Sequence, residues 1–132
     1  MFSYNEAVNV LVKRFGDKIT NLEAEEYRDL PTVFYEHYFV PYIKNEFTEE
    51  MLRNPSEKNT KHTKKSSKSE KIEEIFIFLE EMAESEDAEV KNLLQVSVLE
   101  ALYIDESIRN ELKKYMGFET EKIYNDVLKY FG

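Results

Sequence analysis

"IFIFLEEMAESEDAEVKNLLQVSVLEAL", residues 75–102, carries two apolar patterns of helical spacing on either side of an acidic turn. Before the turn, Ile72, Ile75, Phe76, Leu79, Met82 and Ala83 recur at the i, i+3, i+4 interval of one helix face. Ile77 and Phe78 widen that face, which predicts burial on more than one side. After the turn, Val90, Leu93, Leu94, Val96, Val98, Ala101 and Leu102 surround much of a second helix, which is therefore expected at the centre of the fold. Between them Ser85 reads as a cap followed by Glu86 and Asp87 in the first turn, where carboxylates meet the positive end of the helix dipole. So short a connection predicts an antiparallel helical hairpin.

The same pattern extends in both directions. Ser3 and Glu6 form a capping-box pair before Ala7, Val8, Leu11, Val12 and Phe15, a helix expected to end at Gly16. A short helix with Leu22 and Tyr27 toward the core is the reading of 17–30, with Asn21 as cap. Pro31 suits a first helical position, and Phe34, Tyr35, Tyr38, Phe39, Tyr42, Ile43 and Phe47 follow it at helical intervals. Pro41 lacks an N–H and its ring crowds the preceding turn, so two helical pieces meeting at an angle are expected there. Downstream, Asp105 or Ser107 caps a helix carrying Ile108, Leu112, Tyr115 and Met116, which Gly117 is expected to end in a left-handed conformation. The last helix begins near Thr120 and presents Ile123, Tyr124, Val127, Leu128 and Phe131. No segment alternates with period two for long, so the chain reads as all-α, a single-domain bundle of about six helices in antiparallel hairpins.

Residues 54–69 contain no apolar side chain apart from Pro55 and read as a flexible loop inside the domain 1–132. A second capping box, Ser67 with Glu70, opens the helix that follows. The segment 57–71 holds six lysines and two glutamates in a chain of net charge −9; without it 12 basic groups face 25 acidic ones, a body of −13. Such a body repels phosphate backbones and steers basic partners inward, so nucleic acid is disfavoured and a solvated loop near Glu49, Glu50, Glu73 and Glu74 is the simpler reading of the lysines. With 42% hydrophobic residues the 132-residue chain can bury a core of its own. Zero cysteines exclude disulfides and thiolate chemistry, and the longest apolar run, "IFIFL", is far below membrane-spanning length. The expectation is a soluble, cytoplasmic protein.

Catalytic chemistry finds little to work with. Neither His37 nor His62 stands in a Glu-x-x-His pair, and His37 reads as a partly buried, hydrogen-bonded side chain. Glu81 and Glu84 satisfy the Glu-x-x-Glu spacing of magnesium-dependent helical nucleotide hydrolases, but Glu100 is followed at that interval by Tyr103, so the facing acidic pair is missing. Three glycines cannot build a phosphate loop, and serine has no base at a readable spacing. The chain therefore reads as non-enzymatic, with no cofactor and no metal. The acidic run Glu80, Glu81, Glu84, Glu86, Asp87 and Glu89 is the stronger lead, because clustered carboxylates draw a basic protein into register.

Three stretches, "LPTVFYEHYFVPYI" at 30–43, "IFIFLEEMAESEDAEVKNLLQVSVLEAL" at 75–102 and "KKYMGFETEKIYNDVLKYFG" at 113–132, together resemble a family of small all-helical bacterial proteins of unknown function. Its members look like immunity proteins of polymorphic or contact-dependent toxin systems. The resemblance implies a non-enzymatic protein that neutralises a cognate basic toxin, with partner contacts around Glu80 to Glu89 and also at Tyr103 and Asp105. A nucleic-acid or regulatory adaptor using the lysine-rich loop, and a magnesium-dependent hydrolase using Glu81 and Glu84, are the alternatives.

Overall fold

Helix α1, Ala7–Ile19, follows a 3-10 turn at Tyr4–Glu6 and buries Ala7, Val8, Leu11, Phe15 and Ile19 along one stripe. The computed structural model describes residues 3–19, 27–53 and 69–131. Every regular element among them is helical, so the all-α expectation holds. Gly16 does not end α1, because Ile19 continues the buried stripe and carries the helix past it. Ser3 makes no side-chain cap; its carbonyl accepts from the Glu6 N–H at 3.0 Å instead. The short helix expected around Leu22 and the Ser67 cap fall on residues 20–26 and 54–68, outside the described residues.

Pro31 opens a run made of α2 (Pro31–Phe34), a π-helical stretch (Tyr35–Phe39) and α3 (Val40–Arg53). Where Pro41 predicts a kink or a fresh start near Val40, α3 begins at Val40 behind a widened turn: the Val40 N–H reaches the Tyr35 carbonyl, five residues back. A π turn just ahead of a proline absorbs the crowding that a regular turn would suffer, so the run stays helical. His37 faces outward and is exposed rather than partly buried, beside the Tyr27 and Tyr38 rings at 6.3 and 6.4 Å.

Helix α4, Glu70–Ala83, starts at Ser69, whose hydroxyl accepts from the Ile72 N–H. Ser69, last residue of the expected loop, is thus a buried cap. Four residues later the chain resumes as α5 (Ala88–Asn92), a second π stretch (Leu93–Leu99) and α6 (Glu100–Ile104). The cap of α5 is Asp87, which accepts the Glu89 N–H at 2.9 Å, whereas Ser85 accepts from Asp87 N at 3.0 Å within the turn. The π stretch packs against α2, the 35–39 stretch, α4 and the final helix α7 (Phe118–Phe131), which makes it the centre predicted from its apolar girth. Widening brings Ser97, Val98 and Leu99 inside together, while Val96 turns out to solvent. The helix expected over 107–116 is replaced by 3-10 turns at Arg109–Glu111 and Lys113–Tyr115, though Ile108 and Leu112 are buried as expected.

Aromatic rings join these pieces. Phe15 of α1, Phe39 of the first π stretch and Phe78 of α4 form a triangle with centroid distances of 5.5–5.6 Å, Phe78 standing edge-on to both others. Tyr35 meets Phe39 at 89° and donates its hydroxyl to the Ala7 carbonyl at 2.7 Å; burial pushes that hydroxyl's pKa well up. A second triangle, Phe47, Phe76 and Tyr115, ties α3 and α4 to the last 3-10 turn. Truncating Phe39 to Ala removes ring contacts on three sides, and a loss of about 3–5 kcal/mol is expected for such a buried ring. Urea denaturation followed by circular dichroism measures it, and an unchanged midpoint would refute the role of the triangle.

Candidate functional site

Glu73, Ile77, Glu80, Glu81 and Glu84 are four, three, one and three residues apart, so they share one face of α4. They line a groove of about 380 Å³ together with Phe76, Tyr115, Met116 and Gly117. Its apolar lining comes from buried Phe76, half-buried Tyr115 and Met116, and Ile77, which is 58% exposed. Its place on the widened apolar face of α4 predicts burial for Ile77, and the structure instead leaves it exposed. It stands four residues after Glu73 and four before Glu81, a spacing that already placed it among acids. Tyr115 is fixed at the groove by the Ser69 N–H, which its hydroxyl accepts at 2.9 Å. Burial raises the pKa of that hydroxyl.

The glutamates divide by what they already hold. Glu80 is half-buried and accepts the N–H groups of Glu119 and Thr120 at 3.0 and 2.9 Å and the Thr120 hydroxyl at 2.8 Å. It therefore caps α7 from another helix, satisfying N–H groups that have no partner inside α7 and lying at the positive end of its dipole. Gly117 makes the approach possible: a Cβ there would stand 2.4 Å from Glu80 Oε1 and 2.6 Å from its Cδ. Its φ is not positive, so it is glycine for lack of room and not to end a helix in a left-handed conformation. Glu81 pairs with Arg14, whose guanidinium also lies 5.3 Å from the Phe78 ring centroid. Glu73, Glu84, Glu86 and Glu89 are exposed and have no ion pair among the described residues.

Asp87 is engaged as well. It accepts the Tyr4 N–H at 2.8 Å besides that of Glu89, and these two donors, Tyr4 first, hold its carboxyl below the usual range. Tyr103 and Asp105 lie at the far end of the 88–104 run, roughly 24 Å from Asp87 at about 1.5 Å per residue. Tyr103 is stacked on Phe131 at 5.5 Å and covered by the Arg109 guanidinium at 4.4 Å. Asp105 accepts from the Ser107 hydroxyl and N–H at 2.6 and 3.0 Å, and Lys44 stands 3.7 Å away; the Ser107 hydroxyl contributes most to keeping its pKa low. The structure thus brings Glu80, Glu81 and Glu84 into one groove and leaves Tyr103 and Asp105 outside it. Elsewhere Glu46 of α3 is 5% exposed, and its Oε1 has no hydrogen-bond partner among the described residues. No three His, Asp or Glu side chains among those residues are arranged to hold a metal ion, and none of the helices is long and apolar enough to cross a membrane.

Residues 9–132 match the family described as Domain of unknown function (DUF7674). The chain belongs to that family. No curated protein and no solved structure matches it. In this DUF7674 domain the groove of α4 brings apolar lining together with carboxylates that have no ion pair among the described residues.

Two measurements test this geometry. Gly117→Ala should expel Glu80 and uncap α7, costing about 1–2 kcal/mol as lost caps do. Glu80→Ala should cost a similar amount, and the double variant little more than either single one, because both remove one interaction. Additive losses in urea titrations would contradict the shared cap. Asp87, with its folded pKa lowered, contributes stability that is present above the ordinary carboxylate range and is lost as pH falls toward the folded pKa. The stability difference between the natural protein and Asp87→Asn should therefore shrink between about pH 5 and pH 3. A difference that stays constant or grows on acidification would show that the charge on Asp87 is not what the two N–H groups stabilise.

Proposed function

We propose that this domain is a non-enzymatic, immunity-like protein of the cytoplasm that binds and neutralises a cognate basic toxin by surface and charge complementarity. The observation that carries this reading is the α4 groove, where Ile77 and Met116 offer apolar contact between Glu73 and Glu84, which have no ion pair among the described residues. Apolar contact supplies affinity at the centre of an interface, and unpaired charge at its rim supplies orientation and association rate. Glu86 and Glu89 continue the negative field past the end of α4. A nuclease toxin suits this field, since a surface built to hold phosphates is basic. Resemblance to the immunity proteins points to the same class of partner.

Glu81 is held by Arg14, which weighs against its use as a magnesium ligand beside Glu84. Co-expression with candidate toxin domains, sought in the reading frames beside this gene, tests the proposal. The expected result is restored growth and a complex that copurifies through gel filtration and dissociates as salt is raised. Full toxicity in the presence of folded domain, with no complex, would overturn it.

A further inference from the structure

Glu73 and Glu84 mark the two ends of the acidic face of α4, eleven residues apart in sequence, which at about 1.5 Å per residue is roughly 16 Å. Between them Glu80 is committed to the α7 cap and Glu81 to Arg14, so among the described residues the charge left to attract an occupant sits at the ends while the middle is apolar. A complementary segment has a cation at each end of a span of that length and bulky apolar side chains between. Extended chain would cover the distance in about five residues, but its N–H and C=O groups would face helix side chains without any strand to pair with. Helical chain satisfies its own backbone and covers the distance in three turns.

We propose that the groove receives an amphipathic helix of a partner protein, with an apolar ridge at i, i+4 and i+7 seated on Ile77, Tyr115 and Met116. Lysine or arginine at the two ends of that ridge pairs with Glu73 and Glu84. This inference deepens the protein-binding reading above and rests on it for the identity of the partner, though the groove's preference can be measured without any toxin.

The probe is a fluorescein-labelled helical peptide of about fourteen residues, with a leucine ridge and lysines about sixteen ångströms apart, followed by polarisation at low and at physiological salt. Two comparators are a scrambled peptide of the same composition and a peptide with the lysines replaced by glutamate. Binding of the ridge peptide alone is expected, with affinity at least tenfold weaker for Ile77→Asp and several-fold weaker, with a reduced salt dependence, for Glu73→Lys and Glu84→Lys. All three residues are exposed, so circular dichroism should be unchanged. Glu36→Lys, the same charge change on an exposed residue outside the groove, should bind as the natural protein does.

Equal binding of the scrambled peptide, full affinity in Ile77→Asp, or no binding of the ridge peptide would each overturn the proposal. So would a concentration-dependent dimer abolished by Ile77→Asp, which would assign the groove to a second copy of this chain. Protection against the toxin that persists in Ile77→Asp would overturn the groove and leave the toxin-binding reading standing. Ridge-peptide binding by a domain that gives no protection would do the reverse.

Discussion

The edge-on contact of Phe78 with Phe15 and Phe39 joins α1, the 31–53 run and α4 at one point of the core. α1 and the 31–53 run bury their apolar stripes in one core cluster with α4, which lies beyond the lysine-rich segment in sequence. Edge-to-face rings add direction to burial that would otherwise be satisfied by many packings. With Phe78 turned into that triangle, Glu73 and Ile77, which lie round the helix away from it, point outward. The groove is in this sense a consequence of the core.

Its second wall depends on a polar constraint. α7 begins where its first N–H groups meet the Glu80 carboxylate, and the chain reaches that point only because residue 117 has no Cβ. The pair fixes the 115–117 strip against α4 at a defined separation, which is what leaves a groove rather than a closed helix contact. Tyr115 is held from below by Phe47 and Phe76 and from the side by the Ser69 N–H. One short strip of irregular backbone therefore anchors α4 at its start, through Ser69, and near its end, through Glu80.

Much of this architecture was legible in the residues. The spacing in 75–102 gave the hairpin and its central second helix, and Pro31 gave the start of the aromatic run. Spacing was less informative where a local rule met a stronger tertiary demand. Gly16 resembles a helix end, yet the burial of Ile19 carries α1 beyond it. Pro41 marks the place where α3 begins at Val40, but not the widened turn at 35–39 that precedes it with Tyr35 and Phe39 buried. Residues 107–116 have helical intervals, but the chain there must turn between α6 and α7, and 3-10 turns do so in less length.

The acidic run shows the same division. Sequence alone fixed that six carboxylates gather between residues 80 and 89 and that the body of the chain is strongly negative, because composition and local spacing need no fold to be counted. It also determined the all-α class, through apolar periodicity that only helices can bury. Which of the acids are free was decided by the tertiary structure, since the groups that neutralise Glu80, Glu81 and Asp87 come from residues 119–120, 14 and 4, remote in sequence from their partners. Only that structure could turn Ile77 from a core residue into the centre of an acid-ended groove, because its exposure depends on which of its neighbours the Phe78 ring faces.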